Sequence, residues 1–185
     1  MKLTVIVTST RPGRVGKAVA DWFYDYAREN SAGFEIDFAD LQELDLPLYD
    51  EPRHPMLQDY EHAHTKRWSQ IVASSDAFVF VLPEYNHTMP PSLVNALDYL
   101  YKEWNYKPAG FVSYGGISGG IRATETAKLM LNTLEMVPVK QQVMIPMVAE
   151  HLENGIFKPT DIHEQSAKTM LETVIRWASS LKTMR

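Results

Sequence analysis

Six consecutive apolar residues, Ala77-Phe78-Val79-Phe80-Val81-Leu82, leave an extended segment no face for water. So short a run reads as a strand, and a strand apolar on both faces belongs inside a parallel sheet covered twice. Parallel neighbours need long crossovers, so strands and helices should alternate through the rest of the chain. Lys2 to Val7 reads as a first strand, followed by a helix of about Val15 to Asn30 whose Val19, Trp22, Phe23 and Tyr26 share one face. Gly33 ends that helix, and Phe34, Ile36 and Phe38 alternate with charges as in an edge strand. Helical period resumes from about Leu57 to Ser75 with Trp68, Ile71 and Val72. After the central run, Pro90-Pro91 open a helix faced by Leu93, Val94, Leu97, Leu100 and Tyr101. A strand over Pro108 to Ser113, a helix of about Arg122 to Glu135, a fifth strand within Val137 to Ile145 and a last helix of about Asp161 to Leu181 complete the pattern. The order βαβαβαβαβα predicts an α/β three-layer sandwich, a five-stranded parallel sheet with helices on both faces, as a single domain over residues 1–185.

Composition removes several chemistries. The chain has no cysteine, which excludes disulfides, thiolate metal sites and cysteine nucleophiles. Its net charge of -5 lacks the basic excess of a nucleic-acid binder. No apolar run approaches membrane-spanning length and the first strand is too short for a signal-peptide core, so the expectation is a soluble, cytoplasmic protein without nucleic-acid or membrane partners.

Sheets of this kind bind ligands beyond the carboxyl ends of their strands, which directs attention to three loops. The first, Thr8 to Arg14, offers the hydroxyls of Ser9 and Thr10, the guanidinium groups of Arg11 and Arg14, and a helix N-terminus just beyond. Met1 to Ala20 contains no acidic residue in an acidic protein, so the local field favours an anion, and a phosphate is the expected ligand. Helix capping accounts for the hydroxyls but for neither arginine. No G-x-G-x-x-G follows the strand, and Gly16-Lys17-Ala18 is not a Walker loop; a Ser/Thr-rich loop for one phosphate is instead what a flavin mononucleotide site uses in the strand order 2-1-3-4-5. The second loop, Pro83-Glu84-Tyr85-Asn86 onward to Met89, is stiffened by prolines and suits the edge and face of a planar heterocycle. The third, Ser113-Tyr114-Gly115-Gly116 through Gly120, holds four of the chain's nine glycines, which permit positive φ and close approach of a ligand.

Taken in order, Ser9-Thr10-Arg11-Pro12-Gly13-Arg14, Leu46-Pro47-Leu48-Tyr49, Pro83-Glu84-Tyr85-Asn86-His87 with Pro91, Asn95-Ala96-Leu97-Asp98-Tyr99, and Ser113-Tyr114-Gly115-Gly116 resemble the NADPH-dependent FMN reductases. This flavodoxin-like family includes azo-dye, quinone and chromate reductases. Thr8 stands where the family commonly has glycine. The resemblance implies non-covalent FMN, with Ser9, Arg11 and Arg14 near its phosphate, Pro83 to Asn86 around the isoalloxazine, and Ser113 to Gly116 on the ring's other side. It implies NADPH or NADH as co-substrate and a homodimer or homotetramer, for which Tyr49, His54, Trp104 and Tyr106 are candidate contacts.

The flavin brings its own redox chemistry, so no catalytic dyad is needed and none is assigned. The expected reaction passes a hydride from NAD(P)H through bound flavin to a quinone, azo compound or free flavin, with ping-pong kinetics. Backbone N–H groups near Gly115-Gly116 would face the charge that grows on the ring, and one near Asn86 would meet N5. The alternatives are a flavodoxin-type one-electron carrier without a pyridine-nucleotide site and a flavin-free NAD-binding regulator. His87 reads either as a proton donor or as a loop residue bonded to backbone. His62 and His64, two apart on an expected helix, point to different faces and make a poor metal pair. Met144 and Met147 read as core or interface filling, and Glu35, Asp37, Asp40, Glu43 and Asp45 as a solvated acidic edge.

Overall fold

The computed structural model describes every residue except Ala32. Strand β1 (Lys2–Val7), helix α1 (Gly16–Asn30), β2 (Glu35–Asp40), the short α2 (Leu41–Leu44), α3 (Ala63–Ser74), β3 (Ala77–Pro83), α4 (Pro91–Asp98), β4 (Pro108–Tyr114) and α5 (Ile121–Thr133) follow in chain order. Two strand fragments come next, β5 (Val137–Pro138) and β6 (Val143–Ile145), then the hairpin β7 (Leu152–Glu153) and β8 (Ile156–Phe157), and finally α6 (Asp161–Leu181). The main sheet runs β2-β1-β3-β4-β5, with β6 also paired to β4 and every pairing parallel. This is the flavodoxin-like order 2-1-3-4-5 read from the sequence.

Strand β3 lies at the centre and every one of its residues is buried. Its two faces carry different sizes of side chain. Ala77, Val79 and Val81 meet α1 and α6 through Val19, Phe23, Met170 and Val174, whereas Phe78, Phe80 and Leu82 fill the thicker layer under α3, α4 and α5 with Trp68, Leu93 and Leu97. Trp104, expected as a contact between subunits, is wholly buried in that second layer, its ring centroid 5.0 Å from Phe78. The aromatic face of β3 needs a large partner, and Trp104 supplies it.

Three expected elements change on inspection. The helix begun at Leu57 starts only at Ala63, because Pro55–Leu57 forms a separate 3₁₀ turn that His54 caps through Nδ1. The fifth strand is split: Pro138 pairs opposite Ala109 and Val143 opposite Val112, so five steps of chain face three and the surplus residues leave the sheet. The acidic edge is only partly solvated, since the Asp40 side chain is wholly buried against Arg14 while Glu35 and Asp37 pair with Lys2. Met144 and Met147 are both about two-fifths exposed and fill no core.

Candidate active site

The loop after β1 is built around two turns of backbone. Thr8 donates through both N–H and Oγ1 to the Val81 carbonyl and accepts from Ser92 Oγ, which fixes the strand end between β3 and α4. Arg14 N–H then donates to the Arg11 carbonyl at 3.1 Å, with Pro12 and Gly13 inside the turn and Gly13 at φ 69°. Proline at the second place and a positive-φ glycine at the third are the residues of a type II turn. No side chain caps α1, so Ser9 and Thr10 do not play the capping role that would explain their hydroxyls without a ligand. Ser9 is wholly buried and its Oγ has no hydrogen-bond partner. An orphaned hydroxyl beside uncapped helix N–H groups is the arrangement an anion satisfies.

The two arginines part company. Arg11 and Thr10 are exposed, and Arg11 lines the main cleft. Arg14 instead turns its fork inward: Nη1 donates to the Ser9 carbonyl at 2.5 Å and to Asp40 Oδ1 at 2.6 Å, and Nη2 to Asp40 Oδ2 at 2.5 Å. The Asp40 carboxylate, its hydrogen bonds first, raises the Arg14 pKa further. Arg14 therefore holds the loop to the end of β2 rather than presenting its charge to solvent.

Pro83 ends β3, and Glu84 N–H donates to the Tyr114 carbonyl. Tyr85 and Thr88 exchange two backbone hydrogen bonds around Asn86 at φ 48° and His87 at φ 65°. Both central residues at positive φ define a type I′ turn, which Asn and His tolerate better than most residues. The Asn86 and His87 N–H groups donate to no described residue. Glu84 is almost fully covered and caps the start of α5. Its carboxylate accepts from Ser118 Oγ at 2.9 Å, Arg122 N–H at 3.0 Å and Arg122 Nη1 at 2.8 Å. Burial works against its charge, but these donors outweigh burial and hold its pKa below the usual carboxylate range.

Ser113 is buried and donates to the Gly119 carbonyl at 2.8 Å, so its hydroxyl shapes the glycine loop from inside. Positive φ falls at Gly119 and Gly120, whereas Gly115 and Gly116 keep ordinary backbone angles. Gly116 is exposed with open space where a side chain would stand, and its carbonyl accepts from Met147 N–H. Tyr114 is buried, and its hydroxyl shares with Ser9 Oγ the space over Gly16 that any Cβ there would invade. Burial drives the Tyr114 pKa well above that of free tyrosine.

Between the first two loops lies a cleft of about 930 Å³, lined by Arg11, Glu84, Tyr85 and Asn86 on one side and by Leu48, Tyr49, Val94 and Asp98 among others opposite, whereas Ser9, Thr10, Arg14 and the glycine loop from Ser113 to Gly116 do not line it. The far wall, Leu46 to Asp50, was legible only as a resemblance. It is held by α4: Asn95 accepts from Tyr49 N–H and donates to the Pro47 carbonyl at 2.6 Å, and the Tyr99 hydroxyl bonds Pro47 and Asp50. His62 and His64 take part there in an unforeseen way. His62 sits at the N-cap of α3 in extended conformation, outside the helical turn, so the two rings stack 5.1 Å apart and both reach Asp50. Nearly parallel rings hold their lone pairs in separate planes, which disqualifies them as joint ligands of one metal ion. His54 and Tyr106, the other candidate subunit contacts, are exposed and half-buried, respectively.

The fold, with a cleft at the carboxyl edge of its parallel sheet, defines a flavodoxin-like α/β protein. The family described as NADPH-dependent FMN reductase matches residues 1–150. The chain is 36% identical over 157 residues to the NAD(P)H-dependent FMN reductase ntnL of Nectria sp, covering 80% of this chain and 76% of that one. It is 33% identical over 187 residues to the NAD(P)H-dependent FMN reductase LOT6 of Saccharomyces cerevisiae, covering 95% and 97%. Among solved structures it is similar to FerB, the flavoenzyme NAD(P)H:(acceptor) oxidoreductase of Paracoccus denitrificans, at a TM-score of 0.71 and 23% identity over 98% of this chain and 97% of that chain. The chain belongs to the NADPH-dependent FMN reductase family, and it is a flavin-dependent NAD(P)H oxidoreductase with FMN as cofactor. No described helix is long and apolar enough to cross a membrane.

Proposed function

We propose that this enzyme reduces a small planar acceptor, a quinone, azo compound or free flavin, at the cleft beyond β1, β3 and β4, and that both substrates use that one opening in turn. The orphaned, fully buried Ser9 hydroxyl beside the uncapped start of α1 carries this reading. Ser9, Thr10 and Arg11 would hold the FMN phosphate, with Arg14 positioning them through Asp40. The free N–H groups of Asn86 and His87 and the side chain of Tyr85 would meet one edge of the ring, and Gly115-Gly116 the other, with Ser113 and Tyr114 shaping that loop from beneath. Pro83 and Glu84 fix the direction of the second loop, Glu84 by its bonds to α5.

FMN supplies the hydride chemistry when bound; the protein's part is binding, orientation and exclusion of water. Use of the one cleft by both substrates in turn would give ping-pong kinetics. Exposed Leu48, Met56 and Leu57 beside the cleft fit a homodimer or homotetramer that covers them, and a cytoplasmic setting suits a cysteine-free chain. Anaerobic mixing of the flavin-loaded enzyme with NADPH tests the reading: absorbance at about 450 nm should fall at once and return with menadione. Failure to bleach would overturn it in favour of an electron carrier. Double-reciprocal plots at several menadione concentrations should be parallel, and intersecting lines would remove the shared opening.

A further inference from the structure

Asp98 is the last residue of α4, where the helix dipole disfavours a negative charge. It has no hydrogen-bond or ion-pair partner among the described residues. Its neighbours on α4 are fully employed: Asn95 and Tyr99 clasp the Leu46 to Asp50 wall, and Leu93 and Leu97 fill the core. Asp98, the one acidic residue of α4, lines both the 930 Å³ cleft and an adjoining cavity of about 490 Å³. Around it the cleft is apolar, with Leu48, Met89 and Val94 in its walls.

No described cation forms an ion pair with that carboxylate, and Arg11 is the one cation among the described residues that line the same cleft. Arg11 stands at the phosphate end, Arg122 is paired with Glu84, and Arg53, the arginine of the far wall, pairs with Asp59 and Glu61. Partial burial lifts the Asp98 pKa, and burial followed by the charges of Glu51 and Asp98 lifts that of Tyr49.

We infer that Asp98 sets the charge class among quinone acceptors, favouring uncharged quinones over sulfonated ones. The inference rests on the proposed cleft and narrows its acceptors. Reduction of an uncharged quinone takes the hydride of NAD(P)H and one proton from water, giving a neutral hydroquinone and NAD(P)+. The product carries no charge to be held against Asp98, whereas a sulfonated quinone would meet an unpaired carboxylate at each visit.

The test compares kcat/KM for menadione and for a naphthoquinone sulfonate at one fixed NADPH concentration, so the charge of NADPH cancels from their ratio. In Asp98→Asn the sulfonate-to-menadione ratio should rise about threefold to tenfold, as expected for removing one charge several ångströms away, and Asp98→Glu should restore it. In the unaltered enzyme added salt should raise kcat/KM for the sulfonate more than for menadione, and that difference should shrink in Asp98→Asn. A ratio that stays within about twofold in Asp98→Asn overturns the inference. Should that variant fail to fold, equal salt responses of the two acceptors in the unaltered enzyme overturn it equally well. An enzyme that bleaches with NADPH yet reduces neither acceptor also overturns it, while one that never bleaches overturns the flavin reading beneath it.

Discussion

At the scale of single residues, the two arginines of the first loop show what a sequence can and cannot declare. Their type and place were legible, because two cations at the end of a first strand answer to an anion. Their partition was not, since Arg14 finds Asp40 across a strand pairing in which Val7 lies opposite Asp40, a register no local pattern encodes. The variants should separate accordingly. Arg11→Ala should weaken FMN binding by about 1.5–3 kcal/mol, read by fluorescence titration, with little change in the stability of the flavin-free protein. Arg14→Ala leaves the Asp40 carboxylate buried with only the Gln42 N–H to bond it and no cation beside it, and should cost about 3–5 kcal/mol of folding free energy in urea unfolding. The glycines divide in the same manner. Gly120 sits at φ 82° with Tyr114 N 2.8 Å from the place a Cβ would occupy, so Gly120→Ala should cost about 2–3 kcal/mol. Gly116, open on that side, should accept alanine within about 0.5 kcal/mol. Four neighbouring glycines were visible as a loop, but which of them needed glycine depended on the approach of Ser113 and Tyr114 from below.

At the scale of elements, the period of apolar residues carried most of the reading. Helix α6 runs over the expected Asp161 to Leu181, and β3 is the doubly covered strand its run required. Periodicity failed where chain direction was set from a distance. Glu51 accepts from the N–H groups of Glu61 and His62 and thereby places the start of α3, although apolar spacing suggested an earlier one. The other end of α3 is fastened by Lys107, whose Nζ donates to the Val72 and Ala73 carbonyls at 2.8 and 3.2 Å and lies over the Phe78 ring. Burial, aided by Arg185, lowers its pKa to about 8. The folded state thus releases this proton before the unfolded state does. Between about pH 8 and the ordinary lysine pKa near 10.4, the unfolded chain binds more protons and stability rises with pH. The unfolding free energy of the unaltered protein minus that of Lys107→Met should therefore increase across that window, by up to about 1.4 kcal/mol per pH unit. A flat difference from pH 8 to pH 10 would show that the amine is not the proton being released.

At the scale of the whole molecule, the sheet gathers three loops that are far apart in sequence and offers little else to hold them together at their tips. The loop after β1 is tied to β2 and α4, the second to α5, and the glycine loop to the residues after β6 through the Gly115 and Gly116 carbonyls. The second and third loops are also joined to each other by Glu84, whose N–H donates to the Tyr114 carbonyl and whose carboxylate accepts from Ser118, while the first loop is anchored away from both. A ligand with a phosphate at one end and a flat ring at the other joins what the chain leaves apart. It also answers Met1 to Ala20, a stretch of an acidic protein that has no acidic residue. Removing FMN should consequently lower stability by mass action without unfolding the sheet. At a free FMN concentration of about 100 times Kd the stabilisation is about 2.7 kcal/mol, which for a chain of this length corresponds to a Tm higher by about 5–11 °C than that of the flavin-free protein. The increment should grow with the logarithm of added FMN and be smaller in Arg11→Ala at equal concentration, while riboflavin, which lacks the phosphate, should give much less of it. A Tm indifferent to FMN, or one that riboflavin raises as far, would show that the first loop does not grip a phosphate.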